Sequence, residues 1–259
     1  MQASKDIFRH LKDNPNIIKP KYIYKYHSLS IHLMEMMTNA QFYMSNKSEL
    51  NDPLDSAYTI ELDNYLNLYF EKYPSLKGDE KQLELVQHVF KIHMENFDNK
   101  WIDDIDEFQS KLRLTCFTED GNNYLMWSHY ADNHSGVCLK FDTNQDENFK
   151  NELLPVEYRN ELINAKTFDD LNKCLLTKLK TWELEKEWRI ISSKKHFPFK
   201  QESLVEIVFG LRVPDSTIKW FTYYRESAFY MHAPVYKLKL MGNKVVKIDE
   251  NGEVINIVS

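Results

Sequence analysis

The chain has 259 residues, 42% hydrophobic and 14% aromatic, with a formal net charge of -6. That apolar content is ample for a buried core and sets aside a disordered chain. The negative balance sets aside a protein that binds nucleic acid through overall charge, leaving only a local basic patch for that role.

The first ten residues hold no apolar run of the signal-peptide kind. No stretch approaches the roughly 18 apolar residues of a membrane span, so a cytoplasmic protein without membrane contact is expected. Residues 4–14 read as a short helix with Ile7 and Leu11 on one face, halted before Pro15. Pro20 opens a Tyr-rich strand over 21–27, and Ser28 or Ser30 caps a helix through Asn39 carrying Leu29, Leu33, Met36 and Met37. A short strand over 41–45 is followed by the turn-forming run Leu50-Asn51-Asp52-Pro53-Leu54-Asp55. From about 58 to 110 the pattern is helical and acidic, broken at Gly78, and is read as a helical insertion without a chemical motif.

Residues 111–118 read as a buried strand, 124–134 as a helix and 137–141 as a strand. A short strand is expected at 155–158, a long helix over 161–181, and a buried strand carrying Trp188 to Ile191. Strand 204–209, helix 214–225 and a β-meander over about 235–258 complete the chain, with turns at Gly242-Asn243 and Asn251-Gly252. Helices out of strict alternation with short strands predict an α+β fold. Its sheet should be mixed and mainly antiparallel, with flanking helices, in one domain over 1–259. Cys116, Cys138 and Cys174 are odd in number, widely spaced and without a CxxC pair, which fits free thiols in a reducing compartment.

The stretch Lys178 to Ser192 concentrates the candidate chemistry. Alternate side chains of a strand share a face, so Glu185, Glu187 and Arg189 are expected to point together, with Trp188 and Ile190 in the core. Such a face could floor a polar site, or equally form a surface ion pair. Glycine-rich phosphate loops, GxSxG and HExxH are all absent, which disfavours kinases, Rossmann dehydrogenases, α/β-hydrolases and zincins. His129 and His134 stand five apart, the wrong interval for two ligands on one helix face, and metal is not expected to be a resident cofactor. A divalent ion on Asp52, Asp55, Glu185 and Glu187 is the alternative, and would suit a nuclease with Lys178 or Lys180 near the phosphate. Nucleotide binding without a phosphate loop is also open. Tyr24, Tyr26 and His27 with Thr115 and Thr118 could cradle base and ribose, while a carboxylate of the Glu185-x-Glu187 pair stabilises an oxocarbenium ion.

Tyr24-Lys-Tyr26, Leu50-Asn-Asp-Pro53, Cys116-Phe-Thr118, Leu125-Met-Trp-Ser-His-Tyr-Ala131, His134-Ser-Gly136, Lys178, Trp182 and Glu185-x-Glu187-x-Arg189 occur in this order. Over about residues 22–192 the chain thereby resembles the bacterial domain-of-unknown-function family 2971. The resemblance implies a setting in abortive infection or anti-phage defence, with a protein partner from a defence operon. The motif order is also similar to ADP-ribosyltransferases. That similarity implies NAD as a substrate, Glu187 as catalytic carboxylate and Glu185 orienting the acceptor. It further implies Lys25 or His27 against the nicotinamide ribose, and Thr115 and Thr118 supporting the scaffold. Arg189 joins the two carboxylates in the floor of the expected pocket. Asn51, Asp52, Trp127, His129, Tyr130, Lys178 and the Tyr24–His27 strand complete it. A non-catalytic sensor or antitoxin-like module is the remaining expectation.

Overall fold

The chain builds its core around one sheet whose strands are short and rich in Phe, Tyr, Val and Ile, residues that suit a pleated, half-buried surface. The computed structural model describes residues 8–96, 111–225 and 232–258. Within them, α1 (Arg9–Lys12) precedes β1 (Tyr22–His27), α2 (Ile31–Asn39) and β2 (Gln41–Tyr43). Then come β3 (Tyr58–Thr59), α3 (Leu62–Lys72), α4 (Glu80–Asn96), β4 (Arg113–Thr118), α5 (Tyr124–Tyr130) and β5 (Val137–Asp142). The middle of the chain is made of small pieces: α6 (Glu147–Glu152), β6 (Leu154–Pro155), β7 (Glu157–Arg159), β8 (Ile163–Asn164), α7 (Phe168–Lys173) and β9 (Thr177–Leu179). It closes with β10 (Glu187–Ser192), β11 (His196–Pro198), β12 (Leu204–Phe209), α8 (Asp215–Tyr224), β13 (Val235–Met241), β14 (Lys244–Ile248) and β15 (Val254–Ile257).

Nine strands form the main sheet in the order β15-β14-β13-β12-β5-β1-β4-β10-β6. Every neighbouring pair is antiparallel except β12 with β13. The fold is therefore α+β with a mixed, mainly antiparallel sheet, as expected, and the final meander is present as β13–β15. No helix among the described residues is long and apolar enough to cross a membrane. One sheet face packs Ile23, Phe117, Phe141, Trp188, Ile190, Ile207 and Phe209 against α2, α6 and α8. There Phe42 stacks on Phe199 at 4.6 Å between ring centroids. The other face carries two smaller groups. Trp127 of α5 and Ala131 at its end pack on Tyr26 and Cys138, and Leu114, Leu154, Leu175 and Ile191 lie further along. The expected insertion opens with the short strand β3, which pairs with β8, and is mostly helical over the rest of its described residues. Tyr65, Leu68, Val86 and Phe90 of α3 and α4 pack with Ala165 and Leu171. Its residues 97–110, like residues 4–7 of the first expected helix, lie outside the described residues.

Three expectations need correction. The long helix over 161–181 is absent. Only Phe168–Lys173 is α-helical, started by a capping box between Thr167 and Asp170, and 163–164 and 177–179 are strands. Cys174, Leu175, Leu176, Thr177 and Lys178 are all buried. Five consecutive buried positions cannot lie on one face of a surface helix; the chain crosses the interior as a single 3-10 turn, Cys174–Leu176, followed by β9. The helix of 124–134 stops at Tyr130, because Asp132, Asn133 and His134 all have left-handed backbone, with φ of 48°, 51° and 69°. Glu185 lies outside the strand expected to set it on one face with Glu187 and Arg189, because β10 starts only at Glu187. Glu185 ends a 3-10 helix, and Lys186 turns the chain with φ of 46°.

The left-handed bend is locked by glycines. A Cβ at Gly210 would stand 2.2 Å from the His134 carbonyl oxygen, and one at Gly136 would stand 2.3 Å from that of His27. Gly210 N also donates to Gly136 O at 2.9 Å. Gly210→Ala is expected to cost about 1–3 kcal/mol of stability, since the clash is with backbone and only a shift of the bend relieves it. Thermal unfolding checks this: a fall of several degrees is expected, and an unchanged midpoint would mean the close approach is not required.

Candidate functional site

The site lies where two central strands part. β1 pairs with β5 at all six of its residues but with β4 only at Tyr24 opposite Thr118. The Cys116 carbonyl, without a strand partner on the β1 side, accepts from Lys25 Nζ at 3.0 Å. The gap opens into a cleft of about 280 Å³, close to the lower end of small-molecule pockets, about 300 Å³. Tyr24, Lys25 and Tyr26 of β1, Cys116 and Phe117 of β4, and Met126 and Tyr130 of α5 form its walls. Glu49, Leu50, Asn51 and Asp55 come from the loop after β2; Lys178, Glu185 and Glu187 complete the lining.

Beneath the cleft is a buried ion cluster centred on Arg189, which is 0% exposed. A guanidinium has five N–H donors, and all five are used. Nε donates to Glu187 Oε1 at 2.7 Å and Nη2 to Glu187 Oε2 at 3.0 Å, a two-pronged pairing. Nη2 also donates to Asp55 Oδ2 at 2.6 Å, and Nη1 to Ser56 Oγ at 3.0 Å and the Leu175 carbonyl at 2.9 Å. Lys178 Nζ stands among three carboxylates: Glu185 at 2.5 Å, Glu187 at 3.2 Å and Asp55 at 3.4 Å. It also lies 4.9 Å from the Trp182 ring centroid. Tyr130 donates to Glu185 Oε1 at 2.7 Å and accepts from Asn51 Nδ2 at 3.2 Å. The Glu187 backbone N–H donates to the Tyr158 hydroxyl at 2.8 Å. Three carboxylates against two cations leave the cluster one net negative charge.

Protonation follows from these contacts. Burial alone would push the Glu187 carboxyl up, but the Arg189 guanidinium, with Lys178 behind it, brings it down to about 2. Glu187 is therefore an ionised acceptor and not a proton donor near neutral pH. Burial works against the charge on Lys178 as well, and Glu187 and Glu185 outweigh it, holding the ammonium above the usual lysine range. Tyr130 is pushed up mainly by burial, with Glu185 adding to the shift, so it remains a neutral donor. The Cys116 thiol is pushed up by burial and the nearby Glu187, which makes it a poor nucleophile.

Of the expected residues, the structure brings Tyr24, Lys25, Tyr26, Asn51, Tyr130, Lys178, Glu185 and Glu187 to the cleft wall. Arg189 lies behind Glu187 rather than in the lining. Thr118 sits fully buried between Tyr24 and Glu187, and its Oγ1 accepts from Asp120 N at 3.0 Å, which fixes the turn after β4. His27 is turned away, its Nδ1 2.7 Å from the Ser28 carbonyl, and burial lowers its pKa. Asp52 is half-buried outside the lining, and its Oδ1 accepts from Leu54 N at 2.9 Å in a turn. Trp127 packs edge-on to Tyr26 at 5.2 Å, and His129 meets Trp182 at 6.0 Å, both beyond the lining. Asp55, read from the sequence only as a metal ligand, is a central member of the cluster; Ser56, Tyr158 and the Leu175 carbonyl were not anticipated. The dense Asn-Asp-Pro loop is the one signal that pointed near Asp55. Among the described residues no group of three or more His, Cys, Asp or Glu is placed to hold a metal ion. Lys178 stands among Asp55, Glu185 and Glu187, three of the four carboxylates of the metal reading, and Asp52 is taken up by its own turn.

Fold and site together define an α+β protein with a ligand-sized cleft over a buried ion cluster. A family model described as "Protein of unknown function (DUF2971)" matches residues 126–203, and the chain resembles that family there. The match takes in Tyr130, Lys178, Glu185, Glu187 and Arg189, while β1 and the 50–56 loop lie outside it. No curated protein and no solved structure matches the chain.

Proposed function

We propose that the cleft binds a nucleotide or NAD-like molecule and that the chain transfers its glycosyl group in the manner of ADP-ribosyltransferases. It would serve as an effector in bacterial anti-phage defence or a toxin system. The observation that carries the reading is Glu187, a carboxylate held ionised and held in direction by Arg189, at the edge of a cleft walled by Tyr24, Tyr26 and Tyr130. When the C1′–N bond of an N-glycoside breaks, its electron pair leaves with the base, and positive charge develops on the ribose C1′ and ring oxygen. A fixed anion opposite that charge stabilises it without reorganisation. The acceptor's lone pair then forms the new bond to C1′, Glu185 orients the acceptor and takes the proton it gives up, and the tyrosine rings hold base and ribose. Arg189 acts through Glu187 and is a positioning residue.

Purified protein incubated with NAD should release nicotinamide. Glu187→Gln should remove that activity by about 100-fold or more while circular dichroism retains the native signal. No nicotinamide release, together with no heat of NAD binding in calorimetry, overturns the reading. A second reading, a non-catalytic binding module, draws on the complete internal use of the Arg189 donors. It predicts that Glu187→Gln lowers the unfolding temperature while phage protection persists.

A further inference from the structure

Lys178 and Arg189 are each met by carboxylates, and Lys25 is not. Its Nζ donates to two neutral oxygens, Thr115 Oγ1 at 2.9 Å and the Cys116 carbonyl at 3.0 Å. The Phe117 and Phe42 ring centroids lie 5.1 Å and 5.8 Å away. An ammonium has three N–H donors, and among the described residues no carboxylate pairs with this one. A charge held out of water is costly unless paired, and burial lowers the Lys25 pKa in keeping with that cost. Lys25 lines the same cleft as Glu185 and Glu187. The cleft lining is therefore polarised, with a cation that lacks a carboxylate at contact distance in the split between β1 and β4 and a net negative cluster elsewhere in the lining.

We infer that the ligand is a nucleoside phosphate whose phosphate takes the remaining N–H of Lys25, while its electron-poor glycosyl end faces Glu185 and Glu187. This rests on the cleft being the ligand site and deepens that reading by naming the charge pattern of the ligand. The phosphate supplies a hydrogen-bonded counter-charge to a cation on which Glu187 acts only through space, and a charge-assisted hydrogen bond in a partly dehydrated cleft is among the stronger polar contacts. The same arrangement sets specificity, because a nucleoside without phosphate leaves the ammonium unpaired.

Calorimetry with matched pairs tests it: nicotinamide riboside against its 5′-phosphate, and adenosine against its 5′-monophosphate. With the wild-type chain at least one phosphorylated member should bind about tenfold or more tighter than its nucleoside. In Lys25→Met, which keeps length and apolar bulk, that ratio should fall to about one, and Lys25→Arg should keep part of it. The Lys25→Met chain without ligand should unfold no lower than wild type, since an unpaired charge has been removed. A phosphate preference that survives Lys25→Met, or no preference in the wild type, overturns the inference. So does a large fall in the unfolding temperature of Lys25→Met, which would make Lys25 a structural residue. Phosphate preference without nicotinamide release leaves this ligand class standing and overturns the transfer reading alone. Release that is indifferent to Lys25→Met does the reverse.

Discussion

Arg189→Met is expected to destabilise the chain by about 3–5 kcal/mol, the usual cost of removing one partner from a buried ion network. The substitution strands Glu187 and Asp55 without their main counter-charge, and it leaves Ser56 Oγ and the Leu175 carbonyl without their donor. Arg189→Lys should rescue little, because an ammonium cannot reproduce the fork that meets Glu187 on two oxygens. The paired change Arg189→Met with Glu187→Leu should recover part of the loss, since a buried pair can be replaced by apolar side chains at small cost. Urea unfolding of the four chains measures this. If Arg189→Met alone shifts the midpoint no more than a surface substitution would, the cluster does not hold the middle of the chain together.

Acid should unfold the protein through Glu187. Its folded pKa of about 2 lies below the ordinary value of 4.5. A depressed carboxyl pKa contributes stability that is fully present above 4.5 and lost as pH falls through that value towards 2. The gap corresponds to about 3 kcal/mol. Stability measured from pH 6 down to pH 2 should therefore drop steeply in the wild type. It should follow a flatter course in Glu187→Gln, which starts lower and has no such charge to lose. Parallel curves for the two chains would show that Glu187 gains nothing from Arg189 and Lys178. The same measurement bears on catalysis, because a carboxylate this acidic cannot act as a proton donor near neutral pH. Any acid–base step must then fall to Glu185 or to the substrate itself.

Much of this arrangement is local and could be read along the chain. The alternation Glu187, Trp188, Arg189, Ile190 placed the charged pair on one face and the apolar pair in the core, and Trp188 and Ile190 do pack there. The Tyr-rich run at 22–27, the caps and breaks around α2 and the glycine turns of the final meander each rest on a few neighbouring residues. Their strands and helices therefore stand close to where they were expected. Period and turn chemistry act over a span of several residues, and there a single sequence is informative.

What tertiary structure alone decided lies between segments distant in sequence. Asp55 and Ser56 reach Arg189 across more than 130 positions, and Tyr130 reaches Glu185 across 55; no spacing rule relates such residues. The run 174–178 looked like part of a long helix because apolar content alone does not distinguish a helix stripe from a segment buried on all sides, here a 3-10 turn leading into β9. Only packing against Leu114, Leu154 and Ile191 made the difference. The cleft itself depends on β1 and β4 pairing at one position and then separating, a property of how two strands meet rather than of either strand. Composition and periodicity fixed where charge and apolar faces lie on each element. Pairing geometry determined that Glu185 and Glu187 line an open cleft together with Lys25 rather than being sealed within a closed sheet.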